Sequence, residues 1–400
     1  MFESSLNPPK AKLDWQLLVA LAGLMVVGMA FIYSAKPGGE TTAWYHHLAL
    51  RQAVWYTLGI AAGTAVMLVD YRILARWAVV AYWISILLLV AVLIPGIGST
   101  RGWGARRWID LGPFSLQPAE FAKLAFIFIM AHFLSRPLDE LRCPRLFAKA
   151  VGLTLLPFAL ILKQPDLGSA LVFLPIALVM LFLAGVPVRF LKRVLVGVGL
   201  VLALIVVDVV FAPPNWQMVQ LEDYQRRRLM VYFGRDSAGS GATEAEQRRA
   251  RIEQRRYSYN VDQAMISVGS GGIWGKGWRQ GQQIALGYLP RGVSHNDFIF
   301  SVIAEEKGFL GSMVVLFLYA GVLLCGLRIA GQARDRLGRL LAVGVVALLF
   351  THVFVNIGMN IRLVPVTGIP LPLLSYGGSS VICSLIAAGI LQNIYLHHRD

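Results

Sequence analysis

Ten stretches of this chain are apolar over lengths that a bilayer imposes: 14–34, 52–69, 73–95, 119–135, 148–163, 167–186, 193–213, 298–328, 339–359 and 379–396. A helix needs about 20 apolar residues to cross the hydrocarbon core. This succession predicts an all-α polytopic membrane protein with about ten transmembrane helices. Only 15% of the residues are charged and 56% are hydrophobic, whereas soluble chains carry about 25% charge. The 400 residues read as one membrane domain, 1–400. The first run follows Lys10 and Lys12, is too long for a signal-peptide core and lacks an Ala-x-Ala site, so it reads as a retained helix. The fifth run is short and interrupted by Pro157. The eighth carries Glu305, Glu306 and Lys307, so its first turns are expected to line an aqueous cavity.

The net charge of +15 does not indicate a nucleic-acid partner, because most short basic clusters fall between apolar runs, where the positive-inside rule places them. An even number of spans puts both termini on one side. With that side cytoplasmic, the inner segments carry Lys10, Lys12, Arg72, Arg76, Arg136, Arg142, Arg145, Lys149, Arg189, Lys192, Arg193, Arg328, Arg334, Arg336, Arg339 and Arg399. The short outer segments carry Lys36, Arg51, Arg101, Arg106, Arg107, Lys163 and Arg362, so the charge bias sets the orientation. The long segment 214–297, between the seventh and eighth runs, is then extracytoplasmic despite its arginines, because long loops translocate largely regardless of charge. Within it SAGSGATEAEQ reads as a dispensable tip. Cys143, Cys325 and Cys383 are too dispersed for a metal site or a disulfide framework.

The outer segments concentrate the chemistry. Ser294-His295-Asn296-Asp297 runs directly into Phe298-Ile299-Phe300, which sets a carboxylate where a polar loop becomes an apolar helix. Asp297 there suits a helix cap and equally a base acting on an amphiphilic substrate, and the two roles are compatible. Glu120 and Lys123 lie three apart on the helix that enters after Pro118, so they share a face and can pair. Ionisable groups at that depth are costly and mark functional sites. Trp108 suits a membrane interface, and Asp166 sits in a tight Gln-Pro-Asp turn where it can cap the sixth helix. Arg226 and Arg228 offer guanidinium forks suited to phosphate, or a basic face against lipid headgroups. Lys276, between Gly275 and Gly277, allows a close backbone approach to a phosphate. From Arg362 to Ser380, three prolines and three glycines predict irregular backbone at membrane depth, with Ser375 beside a Gly-Gly hinge. Together these groups fit an amphiphilic, anionic, polar-headed molecule.

Six motifs in order, GARRWIDLGPFSLQPAEFAK, KQPDLGSA, DYQRRR, GSGGIWGKG, LPRGVSHNDFIFSVIAEEKGFLG and VPVTGIPLPLLSYGGSS, resemble those of the SEDS family (shape, elongation, division and sporulation). The likeness covers nearly the whole chain. The short termini and Thr367-Gly368-Ile369-Pro370-Leu371-Pro372 favour its elongation branch over its division branch. The resemblance implies a ten-helix peptidoglycan glycosyltransferase of the bacterial inner membrane that polymerises lipid II beside a class B penicillin-binding protein. It assigns the essential aspartate to Asp297, cavity residues to Trp108, Glu120 and Lys123, and the turn aspartate to Asp166. Asn296 and Ala119 stand where the family more often has threonine and serine.

The reaction so implied has a glycan on a lipid diphosphate as donor and the GlcNAc 4-hydroxyl of lipid II as acceptor. Asp297 takes the hydroxyl proton, and cationic side chains stabilise the departing diphosphate. A divalent cation, magnesium or manganese, is expected from the resemblance alone; its ligands are unknown. Proline-broken helices and intramembrane charges also fit a lipid II flippase, and a non-catalytic scaffold is a third class. Neither of these needs an ionised Asp297.

Overall fold

A computed structural model describes residues 13–35, 48–100, 106–110, 112, 114–211, 232, 258–289 and 294–397. The expected loop tip within 214–257, and with it Arg226 and Arg228, lies outside the described residues. Each apolar run meets a helix. The first two are α1 (Trp15–Ser34) and α2 (Leu48–Leu68). The third run divides into α3 (Tyr71–Arg76) and α4 (Ala78–Leu93) at Trp77. At Trp77 the backbone leaves the helical region, with φ of −89° and ψ of 2°. Asp70 caps α3 through the Arg72 amide at 2.8 Å, and Arg72 also bonds Asp335 at 2.9 Å, so this turn is held among polar partners.

Three short strands follow, β1 (Gly98–Ser99), β2 (Trp108–Asp110) and β3 (Ser115–Leu116), antiparallel in the order β1-β2-β3. Then come α5 (Pro118–Leu134), α6 (Leu138–Leu141), α7 (Pro144–Lys163), α8 (Leu167–Leu183) and α9 (Val188–Phe211). Pro118 and Pro144 occupy first turns, where the missing N–H costs nothing. The fifth run is longer than its apolar core, and α7 passes through Pro157 unbroken. After a helix over 258–270 (α10), the chain forms α11 (Gln282–Ala285), α12 (Ile299–Gln332), α13 (Arg336–Asn360) and α14 (Gly378–Leu396).

The architecture is that of a multi-pass membrane protein. Among the described residues five helices (α1, α7, α12, α13 and α14) are long and apolar enough to cross a bilayer, and α4 and α8 are shorter apolar helices. Large apolar side chains face outward along them, among them Val26, Leu87, Phe182 and Phe317. In water such a surface would drive association, and in lipid it is solvated. Helices α13 and α14 lie inside and are mostly buried. Apolar burial gives helices little drive to associate within lipid, so close packing and polar contacts must hold them. Helix α14 meets α2 through small residues: a Cβ on Gly389 would stand 2.3 Å from the Gly63 carbonyl oxygen.

The eighth run departs from expectation. Helix α12 breaks at Gly308, where φ is 64° and ψ −158°, a region essentially restricted to glycine. The loop 271–277 fills the break: Phe309 N–H donates to the Gly272 carbonyl at 2.8 Å, while the Lys276 and Gly277 amides donate to the Glu305 and Glu306 carbonyls at 3.0 Å each. Glu305 and Glu306 are therefore sealed, at 1% and 2% exposure, and do not line water as expected. Glu305 accepts from Lys276 Nζ at 2.7 Å and from the Gln282 and Gln283 amides, and Glu306 accepts from the Ser34 hydroxyl at 2.5 Å.

Gly308→Ala tests this break. Its Cβ would stand 2.4 Å from the Gly275 nitrogen and 2.6 Å from the Ile273 oxygen, both backbone atoms. Backbone strain and overpacking together predict a loss of ~2–4 kcal/mol, read as a lowered Tm of the purified protein. An unchanged Tm would show that the 271–277 loop gives way freely.

Candidate functional site

The irregular segment between α13 and α14 organises the site. Residues 361–377 are non-helical, and their polar groups are satisfied by neighbours instead. Ser375 is 2% exposed. Its hydroxyl donates to the Asn296 carbonyl at 2.5 Å and accepts from the Leu371 amide at 2.8 Å. The Tyr376 amide donates to the His295 carbonyl at 2.9 Å, and the two rings meet edge to face at 5.6 Å. Gln52 of α2 donates to the Ser375 carbonyl and accepts from the Gly377 amide. Residues 295 and 296 are thus clamped to 375 and 376, and Gln52 braces the same segment from α2.

Asp297 sits in this clamp. Its carbonyl oxygen accepts from Asn356 Nδ2 at 3.0 Å and Asn360 Nδ2 at 3.2 Å, both from α13. Asn356 also donates to the Ile369 carbonyl at 2.8 Å, which ties the same helix to the irregular segment. The cap position of α12 is Phe298, whose side chain makes no cap bond, so Asp297 stands one residue outside the helix. The Asp297 Oδ2 lies 3.6 Å from where a Cβ on Gly368 would stand, and Gly368 has φ of 75°. That separation is an ordinary van der Waals contact, so it is the left-handed backbone at 368 that favours glycine there.

A second cluster joins the start of α5 to the start of α8. Asp166 caps α8, accepting from the Ser169 amide at 3.1 Å and hydroxyl at 2.9 Å, as its turn position foretold. It also accepts from Gln117 Nε2 at 3.3 Å and faces the Arg107 guanidinium at 4.0 Å. Ser379 links this cluster to the first turn of α14 by accepting from the Gln117 amide at 3.0 Å and donating to the Ser115 carbonyl at 3.2 Å. Trp108 lies half-buried in β2, paired in register with Ser99.

The third cluster is sealed. Lys123 Nζ donates to Glu120 Oε1 at 2.7 Å, and the two side chains are 1% and 3% exposed. The spacing foretold that pair but not its third member, His352 of α13, whose Nε2 lies 2.9 Å from Lys123 Nζ. An ammonium has no acceptor, so the facing ring nitrogen accepts and the ring proton sits on Nδ1. Lys276 is not turned toward an open phosphate cradle: its Nζ is engaged by Glu305. Sequence reasoning missed His352, Asn356, Asn360 and Gln117. The available signal was three polar side chains inside the apolar run 339–359 and at its end, at four-residue spacing.

Residues 15–400 match a family model described as "Cell cycle protein", FtsW/RodA/SpoVE. The peptidoglycan glycosyltransferase MrdB of Escherichia coli is 36% identical over 98% of this chain and 95% of its own. Stage V sporulation protein E of Bacillus subtilis is 35% identical over 98% of this chain and 99% of its own. Among solved structures, a chain of a peptidoglycan synthase complex in which polymerization and crosslinking are coordinated superposes with a TM-score of 0.72 and 31% identity, over 97% of this chain and 98% of that one. The rod shape determining protein RodA of Thermus thermophilus gives 0.66 and 30%, over 98% and 99%. This chain belongs to the FtsW/RodA/SpoVE family, the SEDS proteins.

Proposed function

We propose that this chain is a peptidoglycan glycosyltransferase of the elongation branch, polymerising lipid II at the outer face of the bacterial inner membrane. In this reading it spans the membrane with ten helices and keeps both termini cytoplasmic, and segment 214–297 is extracytoplasmic. Relatives that carry the activity in their names match nearly the whole chain. The observation that carries the mechanism is the seating of Asp297. Two amides from one buried helix already satisfy its backbone carbonyl, and the cap position belongs to the next residue. The residue is thereby fixed at a loop-to-helix boundary, which sets its carboxylate one position outside the helix that follows.

The chemistry follows. The 4-hydroxyl oxygen of lipid II attacks the anomeric carbon of the glycan donor, the bond from that carbon to the lipid diphosphate breaks, and the hydroxyl proton passes to the Asp297 carboxylate. The segment 371–377 holds residues 295 and 296, and so fixes the base against displacement. Arg226 and Arg228 suit the departing diphosphate, since guanidinium forks match phosphate oxygens. Asp166, Trp108 and Ser375 shape and brace the outer face. Among the described residues no three His, Cys, Asp or Glu side chains gather as a metal site, and no step here uses the expected divalent cation. The fitting partner is a class B penicillin-binding protein, whose transpeptidation would follow the polymerisation.

Asp297→Asn separates base from brace, because asparagine is nearly isosteric and keeps the backbone carbonyl. Polymer formed from lipid II by the purified protein should fall ~10²–10⁴-fold with Tm unchanged. Near-parent polymerisation would remove Asp297 from the base role, and lipid II translocation without polymer would favour a flippase.

Glu120 and Lys123 should behave as a unit. Breaking a buried pair strands a charge, at ~3–5 kcal/mol, so Glu120→Gln or Lys123→Met alone should each lower Tm and polymerisation strongly. The double variant should cost less than the sum, with a coupling of ~0.5–3 kcal/mol. Strict additivity in a double-mutant cycle would show that the two side chains act independently.

A further inference from the structure

His352, Asn356 and Asn360 recur at four-residue spacing on α13, so they lie on one face of a single buried helix. Each is 0–3% exposed. The row is polar over its last turns, after Leu340, Gly344 and Leu348, inside a helix otherwise packed with leucine, valine and alanine. At one end His352 Nε2 accepts from Lys123, which is already held by Glu120 on α5. At the other end the Asn356 and Asn360 amides hold the Asp297 carbonyl. Asn360 is locked in turn: its amide donates to the Asn356 carbonyl at 2.8 Å, and its Oδ1 accepts from the Ser301 hydroxyl at 2.5 Å.

We propose that His352 is a positioning residue for the reaction assigned above. By accepting from the Lys123 ammonium it fixes the rotation and height of α13, and so sets the two asparagine amides that seat Asp297. This rests on the proposed polymerase activity for its kinetic consequence, but its structural consequence stands apart from it. A helix is stiff along its axis, and two turns separate His352 from Asn360. Hydrogen bonds among buried groups allow only discrete arrangements, because a partly satisfied network is costly. Losing the anchor at 352 therefore lets α13 rotate or slide by a fraction of an ångström, and the Asp297 loop follows. His352 touches no reacting atom in this scheme; it acts through Asn356 and Asn360.

Three variants of the full chain test this: His352→Leu, which removes the acceptor; His352→Gln, which keeps one at similar reach; and His352→Asn, which keeps one too short to reach Lys123. The readouts are kcat and KM for lipid II polymerisation and amide hydrogen exchange over 294–300. In His352→Leu, kcat should fall ~10–100-fold, the scale of a small misplacement remote from the chemistry. Its KM should stay within about twofold, the pattern of lost transition-state geometry, and exchange over 294–300 should quicken. His352→Gln should restore kcat and exchange toward the parent. Parent-like values in His352→Leu, a fall in kcat without faster exchange, or no rescue by His352→Gln each overturns the assignment. If His352→Leu does not fold, the contrast between Gln and Asn decides: parent-like exchange in Gln with faster exchange in Asn supports the role, and equal behaviour overturns it. If the parent makes no polymer from lipid II, the polymerase reading fails, while the exchange contrast still decides whether His352 positions residues 294–300.

Discussion

Irregular backbone at membrane depth must find hydrogen-bond partners within the protein, since lipid offers none. Residues 361–377 impose that demand here, and much of the site is the answer to it. Ser375, Gln52, Asn356 and the 295–297 main chain are each committed to satisfying this segment or are satisfied by it. Proline and glycine break the helix, the broken backbone recruits polar side chains, and those side chains fix the loop that carries Asp297. An apolar replacement at any of these positions would leave a buried donor or acceptor unpaired, at ~1–3 kcal/mol each. Order around Asp297 is therefore a consequence of disorder in the helical pattern next to it.

The same logic explains why charges are sealed inside this chain. Glu305 satisfies Lys276 of the loop that fills the break at Gly308 and the first two backbone amides of α11. Glu120 and Lys123 satisfy each other and reach His352. A buried pair seldom adds net stability over apolar packing, so its merit lies in directionality. Apolar helices in lipid can slide and rotate at small cost, because the surrounding tails are as apolar as the core. A charge-assisted hydrogen bond between α5 and α13 has one geometry.

How much of this could be read from the sequence depended on distance along the chain. The Glu120–Lys123 pair was legible because both members lie on one helix turn, and Asp166 as a cap because a cap is a local motif. The irregular segment was legible from Pro365, Pro370, Pro372 and the glycines around them. What escaped was long-range. Lys123 meets His352 across 229 positions, and no spacing rule connects them. The break at Gly308 escaped because the apolar run continues on both sides of it, and its cause lies in residues 271–277. Lys276 looked open because its neighbours are glycines, whereas its partner stands 29 residues away. The separation of α3 from α4 at Trp77 was masked by an uninterrupted apolar count; Asp70 marked only where α3 begins.

These long-range contacts share a direction. They join elements early in the chain (α2, the β-sheet and the start of α5) to elements late in it (α13, the segment before α14 and the first turn of α14), through Gln52, Ser115, Gln117 and Lys123. Small residues bring α2 and α14 into backbone contact along the same seam. Contacts of such high sequence separation form only after the intervening helices are in place, since loop closure must precede them. The groups that seat Asp297 are then drawn from both halves of the chain, and a helix misplaced in either half reaches the carboxylate through hydrogen bonds rather than through loose apolar packing. That dependence makes the Asp297 site a sensor of the fold: it is complete only when α2, α5, α12 and α13 are all in register.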